Sequence, residues 1–388
     1  MAKFIVRRLL QMTGLFFVFL ILTWVVLQAL PGDTIAQRFR LNPNLPPEAI
    51  DLAIARLGLD KPWYIQFRDY LTGFFTGDLG VSFSQYPRPV RDIILERLPR
   101  TLVLFATALV VQYYVGFQAG KFLAWRRNQR GEMAVTVGGV ALYTVFYPWF
   151  ALMMIWLFAA QLDWLPIGQF ITISLWKDVG FSSNEIFVQI FWTVFVASLV
   201  VVAVTYWARR IDKPGNRILV RIIGYAATLI GFFGYWTNSD VSVYARDIAK
   251  HMVLPVAILT LIGFAGIMLL TRSSMLETMK EDFILTARAK GLSERDVRDK
   301  HAARTALLPV STSLVIAVAT VIDGGIVTES VFSWPGMGQL LLGAVLQEDL
   351  PLAVAAFSFT GLLALVGHFV ADILYGVLDP RIRVTAQG

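Results

Sequence analysis

Eight runs free of Asp, Glu, Lys and Arg divide the sequence, at residues 9–32, 101–120, 133–162, 186–208, 222–239, 251–271, 305–322 and 350–371. Each is close to or longer than the about 20 apolar residues that a helix needs to cross a bilayer. Lipid offers backbone N–H and C=O groups no partners, so spans of this kind satisfy themselves as helices. One such run could be a buried helix of a large soluble core; eight together leave little room for that reading. The composition agrees. The chain is 56% hydrophobic and 16% charged, with mean hydropathy +0.63, against about a quarter charged in soluble domains. The expected fold is all-α, a polytopic transmembrane helix bundle of about eight spans. The first run is too long for a removable signal peptide and lacks a small-residue cleavage site, so it reads as a retained span.

Basic residues set the orientation. With the N terminus inside, the cytoplasmic segments carry Lys3, Arg7 and Arg8, then Lys121, Arg126, Arg127 and Arg130, then Arg209, Arg210, Lys213, Arg217 and Arg221. The segment 272–304 adds Arg272, Lys280, Arg288, Lys290, Arg295, Arg298, Lys300 and Arg304, and the C-terminal tail adds Arg381 and Arg383. Lys177, Arg246 and Lys250 fall outside, and in the external segment 31–100 nine basic residues are nearly matched by eight acids. Odd and even loops separate, which predicts N-in and C-in. The net charge of +7 is then a topology signal, and no nucleic-acid partner is expected.

Several chemistries are excluded. Cysteine is absent, which removes disulfides, thiolate metal sites and a cysteine nucleophile. His251, His301 and His368 show no metal-ligand spacing. "GFQAGKF" (116–122) superficially resembles a phosphate loop but lacks the G-x-x-x-x-G-K-[ST] spacing and has Phe122 where the hydroxyl belongs. No ATP hydrolysis, metal or cofactor is expected in this chain. His368 and Asp372 could form a proton relay of a secondary transporter, or snorkel to the inner interface.

In the external segment, "LPPEAIDLAIARLG" (45–58) predicts a helix with Pro47 in its first turn. "DKPWYIQFRDYLTGFF" (60–75) spaces Trp63, Phe67, Tyr70, Leu71 and Phe74 along one helical face. That stripe could pack on the bundle or dock an external partner.

The cytoplasmic stretch "EDFILTARAKGLSERDVRDKHAARTALLPV" (281–310) is dense in charge. "MLETMKEDFILTARAK" (275–290) predicts one helix, which Gly291 ends in the left-handed conformation. Ser293 caps the next helix with Asp296 as a short capping-box partner. Glu294–Arg298 and Asp296–Lys300 are opposite charges four apart. The loop is expected to be a rigid helix–Gly–helix.

This stretch resembles the cytoplasmic "EAA" loop of ATP-binding-cassette importer permeases, in the form found in the oligopeptide, dipeptide and nickel family. The resembling string is "TARAKGLSERDVRDKHAARTALLP". Where the general pattern has a glutamate and two small residues, this chain has Leu285, Thr286 and Ala287. "RRLLQ" (7–11), "LPGD" (30–33), "LGLDKPWYIQF", "GDLGVSF", "ERLPRTL", "ESVFSWPGMG" (329–338) and "DILYGVLDPRIR" (372–383) resemble the same family in the same order.

The resemblance implies six family-like spans plus an inserted pair. It divides the chain into a first span (1–30), an extracytoplasmic segment (31–100), spans two and three (101–162), an inserted region (163–250) and a core with an ATPase-coupling loop at 272–304 (251–383). It implies a permease subunit forming half of a translocation path for oligopeptides or dipeptides, with nickel or another receptor-delivered solute as the alternative. Implied partners are a second permease subunit, two cytoplasmic ATPase subunits that bind ATP and Mg, an extracytoplasmic substrate-binding protein and membrane lipids. Thr286, Ala287, Ala289, Lys290, Gly291, Ser293 and Arg295 would form the coupling surface. Gly291 would let the chain turn, and Ala287 and Ala289 would permit close approach. Asp323 and Glu329, acids near a membrane mouth, are candidates for the substrate path. Asp323 lies outside the family motif.

Overall fold

The computed structural model describes residues 2–28, 61–126, 130–177, 179–211, 213–320 and 325–378. The helix expected over 45–58, the "LPGD" and "DPRIR" motifs and Asp323 lie outside the described residues. Among the described residues, each of the eight charge-free runs is mainly helical. Seven helices among them are long and apolar enough to cross a membrane: Ile5–Val26, Val90–Trp125, Ser183–Ala208, Gly215–Thr237, Ser242–Thr278, Glu294–Val318 and Leu350–Ile373.

The third run departs from a straight span. It forms α4 (Arg130–Thr144) and α5 (Tyr147–Ile155), the latter continuing as a wider π-type turn over Trp156–Gln161. The axes of Gly131–Thr144 and Tyr147–Gln161 meet at 104°. Pro148 explains the break: its ring would clash with the carbonyl of Thr144 in a continuous helix and it donates no N–H. Each arm is about 22 Å long at 1.5 Å per residue, short of the hydrocarbon thickness. The run is thus a broken span or a re-entrant segment.

The chain forms two compact units. The larger comprises Met1–Ala151, Val256–Val331 and Pro335–Gly388. Its centre is α14 (Leu350–Leu378), against which α1 (Ala2–Gln28), α3 (Val90–Trp125), α11 (Ala303–Thr320) and α13 (Met337–Leu346) pack. The short α2 (Trp63–Thr76) lays its aromatic stripe on this bundle. Trp24 meets Phe67 and Tyr70 at 5.7 and 5.4 Å, and Phe74 meets Phe16 and Phe359 at 5.6 and 6.1 Å. The stripe therefore packs inward, while Trp63 at its start stays exposed. Burial pushes the Tyr70 phenol up to about 12.

"GFQAGKF" finds its role in helix packing. Gly116 and Gly120 lie four apart on one face of α3, against α8 (Ser242–Thr278). A Cβ on Gly116 would meet Phe264 O and Ile267 Cβ at 2.8 Å, and one on Gly120 would strike Met268 O. Small residues at this spacing let two membrane helices approach closely.

The second unit, Leu152–Pro255 with Phe332–Trp334, contains the hairpin of α6 (Ser183–Ala208) and α7 (Pro214–Thr237). Ser182 and Glu185 form a complete capping box at its start. Gly224 sits against Val204, and Thr205 and Tyr225 share a hydrogen bond of 2.8 Å. The connection before α6 is pinned by Asp247, which accepts from Thr172 N, Thr172 Oγ1 and Trp176 Nε1 at 2.9, 2.7 and 2.9 Å.

Candidate functional site

The loop between α8 and α11 is built on an inward stripe. The run 275–290 is two helices rather than one: α8 ends at Thr278 and α9 spans Asp282–Ala289. A continuous helix would separate Met275 from Ile284 by about 13 Å along its axis. The break folds α9 back so that Ile284 and Ala287 join Met275, Val297, Ala302, Ala303 and Ala124 in one buried cluster.

Gly291 then turns the chain at φ 76°, the left-handed conformation that disfavours residues carrying a Cβ. Ser293 Oγ accepts from Asp296 N at 3.2 Å and starts α10 (Glu294–Asp296), which widens into a π-type turn over Val297–Ala302 before α11. The expected capping box is half formed, because Ser293 Oγ also donates to the Asp296 carboxylate at 2.9 Å. Asp296 pairs with Lys300 at 2.5 Å. Glu294 instead pairs with Arg288 at 3.2 Å, and Arg298 with Asp299 at 2.7 Å. The left-handed turn at Gly291 sets the two short helices so that Arg288 reaches Glu294 first.

The loop is fastened to the bundle at both sides. Asp299 accepts an ion pair from Lys121 of α3 at 3.1 Å, and the Arg298 guanidinium lies over the Trp125 ring at 5.8 Å. Ser274 donates to Ala306 O at 3.2 Å, and Arg272 pairs with Glu132 of α4. Ile284 and Ala287 of α9 thus pack against residues of α3, α8 and α11 in one cluster.

Thr286, Ala289, Lys290, Gly291, Ser293 and Arg295 are all exposed on this loop. Ala287 is the exception. It is 5% exposed and packs beneath the helix, so it supports the surface and cannot give a partner close approach. The outward face also carries Phe283 (42% exposed), Leu285 (57%) and Leu292, which the reading of charge and glycine overlooked. Their signal was their position off the inward stripe set by Ile284 and Ala287. Large apolar side chains left exposed together on one loop are a common mark of an interaction surface.

Glu329 stands elsewhere, on α12 (Ile326–Val331). It is 0% exposed and faces no open path. Its Oε1 accepts from Thr101 Oγ1 at 2.7 Å and its Oε2 from Gln339 N at 2.9 Å, while Thr101 Oγ1 accepts from Met337 N at 2.7 Å. The carboxylate thus caps the N-terminus of α13 from another helix, satisfying donors that a helix start leaves open. Burial pushes its carboxyl above the ordinary value. Gly336 is required here, because a Cβ would lie 2.3 Å from Glu329 Oε1. "ESVFSWPGMG" is, at its two ends, a clamp.

A second clamp was not foreseen. Asp349, also 0% exposed, accepts from Ser82 Oγ at 2.5 Å, Ser84 N at 2.9 Å and Ser84 Oγ at 2.7 Å, and from Leu352 N at 3.2 Å. It caps α14 and fastens "GDLGVSF" to the bundle. The proton relay does not form: Asp372 pairs with Arg8 at 2.5 Å, and His368 is exposed with Nδ1 2.8 Å from Ala364 O.

Residues 116–384 match the family described as binding-protein-dependent transport system inner membrane component, and residues 1–105 match the corresponding N-terminal family. The chain is 31% identical over 386 residues to the di/tripeptide transport system permease protein of Pseudomonas aeruginosa, covering 99% of both. It is 28% identical over 383 residues to the oligopeptide transport system permease protein of Bacillus subtilis, covering 99% of this chain and 100% of the relative. The dipeptide transport system permease protein of Escherichia coli is 31% identical over 385 residues, with 99% of both covered. With its apolar helices and two family matches that together cover nearly its whole length, this chain belongs to the multi-pass inner-membrane components of binding-protein-dependent transport systems, which are not themselves catalytic.

Proposed function

We propose that the chain is the permease subunit of an ATP-driven importer of dipeptides and oligopeptides, forming half of the translocation path. Membership in its family implies a substrate-binding protein and ATPase partners. The full-length likeness to permeases named for di/tripeptide, dipeptide and oligopeptide transport supports the substrate class.

The observation that carries the mechanism is the rigid outward face of α9 and the Gly291 turn. It presents Phe283, Leu285 and Leu292 with Lys290 and Arg295. Two cytoplasmic ATPase subunits, which bind ATP and Mg, would seat this face and that of a second permease subunit. Closure of the ATPase pair pushes α9. The buried cluster and the Lys121–Asp299 pair pass the displacement to α3, α8 and α11, switching access between the two membrane faces. The positive-inside distribution supports N-in and C-in, which puts the loop on the ATPase side. α6 and α7 are the inserted pair; none of the apolar stretch of α7 is buried, and we assign it to lipid contact.

The test is to tag the chain, solubilise its native membranes gently and identify what co-purifies. A second permease and ATPase subunits are expected, with trialanine-stimulated ATP hydrolysis that is lost in Gly291→Val. Recovery of the chain alone, under conditions that preserve a known importer complex, overturns the reading.

A further inference from the structure

α3 turns Ile93, Ile94, Arg100, Thr101 and Leu104 inward. Arg97 lies on the same stripe, three or four residues from Ile93, Ile94, Arg100 and Thr101, so its side chain leaves the core-facing side of the helix. It is partly buried, and its buried Nε has no hydrogen-bond partner. The nearby carboxylates are already engaged. Glu96 receives Arg88 at 2.7 Å and Arg100 at 3.0 Å, and Glu329 receives Thr101 and Gln339. Arg97 is within electrostatic reach of Arg88, Glu96 and Glu329, yet it makes no ion pair among the described residues.

Three guanidiniums therefore share two carboxylates, and Arg97, with its buried Nε unbonded, is the one that pairs with neither. Leaving such donors unmet costs free energy that a ligand can recover. The guanidinium fork matches a carboxylate in two parallel hydrogen bonds. The position also fits an external ligand. The charge-free stretch 101–120 of α3 is about 30 Å long, the hydrocarbon thickness, so Arg97 stands just beyond one edge of it. With the N terminus inside, that edge is the outer one, where the positive-inside rule gives no reason for surplus arginine.

We propose that Arg97 binds the C-terminal carboxylate of the transported peptide at the outer end of the bundle, with Glu96 holding Arg88 and Arg100 in place beside it. This rests on the peptide-import reading and extends it to a selectivity for free acids over amides.

The experiment uses the full complex with its receptor and ATPases in liposomes. Uptake of trialanine and of trialanine amide is compared at concentrations giving equal receptor occupancy in a separate titration. Arg97→Gln should lower trialanine uptake about tenfold or more, the loss expected for a charged hydrogen bond, while the amide changes by less than about twofold. Arg97→Lys, which keeps the charge but loses the fork, should fall between. A parallel fall for both peptides makes Arg97 a structural residue and overturns the proposal, as does an unchanged acid-to-amide ratio in a variant that assembles normally. A fall equal for both peptides and present only with anionic lipid assigns the site to a phosphate headgroup and also overturns it. No uptake of either peptide by the wild-type complex defeats the peptide reading itself, and the inference falls with it.

Discussion

Residues 281–302 and 329–352 are both dense in motif-like sequence, and they use their polar groups in opposite ways. The 281–302 loop turns an apolar stripe inward and leaves Lys290, Arg295, Phe283 and Leu285 to the surface. The 329–352 region withdraws Glu329 and Asp349 completely and satisfies them with backbone N–H and hydroxyl donors. An exposed surface contributes little to the stability of the isolated chain and can be altered without unfolding it. A buried carboxylate that caps a helix cannot, because removing it strands several donors at once. The difference separates the residues proposed for coupling from those that hold the bundle, although both carry family resemblance.

The largest test of that contrast is Glu329→Ala. It leaves the Thr101 hydroxyl and the α13 amides unmet, and should cost about 3 kcal/mol or more. Thermal unfolding of the solubilised protein would register this as a large drop in Tm, and an unchanged Tm would refute the clamp. Asp349→Ala should follow at about 2–3 kcal/mol, from loss of the α14 cap and the Ser82 and Ser84 bonds. Limited proteolysis near residues 80–86 should accelerate with it.

Gly291→Val should separate the two regions. A β-branched residue at φ 76° carries about 1–3 kcal/mol of local strain, but a Cβ there meets nothing within 4 Å. Insertion should survive while substrate-stimulated ATP hydrolysis is lost; wild-type hydrolysis would remove Gly291 from the mechanism. Leu285→Ser should change the stability of the isolated chain by no more than about 0.5 kcal/mol and weaken ATPase co-purification. Equal retention of the ATPase by the variant would show that the apolar face is not the contact.

The smallest effect concerns pH. Burial holds the Glu329 carboxyl above its ordinary 4.5. Between the ordinary and the raised value the folded protein keeps a proton that the unfolded chain has released. Stability should therefore fall as pH rises through that window and level off above it. Glu329→Gln should lack this slope in a Tm-against-pH series, and identical slopes would contradict the assignment.

Much of this was legible because membrane burial is written in one dimension. Charge-free length located all eight helical regions, and Gly291 and Ser293 marked the turn and the cap in the loop. Pro148 lay inside an unbroken apolar run, where length alone outweighed its clash with Thr144. The partners of Glu329 and Asp349 were hidden for a different reason. Thr101 is 228 residues from Glu329, and Ser82 is 267 from Asp349, so no local spacing joins them. Ala287 was placed on the coupling surface by resemblance to the family loop, and its burial against Met275 and Val297 is decided only by how the chain folds back.

The sequence by itself determined the helical class, the location of the apolar spans and the place where the loop before α11 must turn, since these follow from hydrophobic length, a missing Cβ and a capping hydroxyl acting on their own neighbours. Tertiary structure alone decided which acids are clamps, which loop residues are exposed and that Arg97 pairs with neither Glu96 nor Glu329. Those outcomes depend on what distant helices bring within hydrogen-bond reach, and a hydrogen bond is satisfied by proximity in space, whatever the distance along the chain.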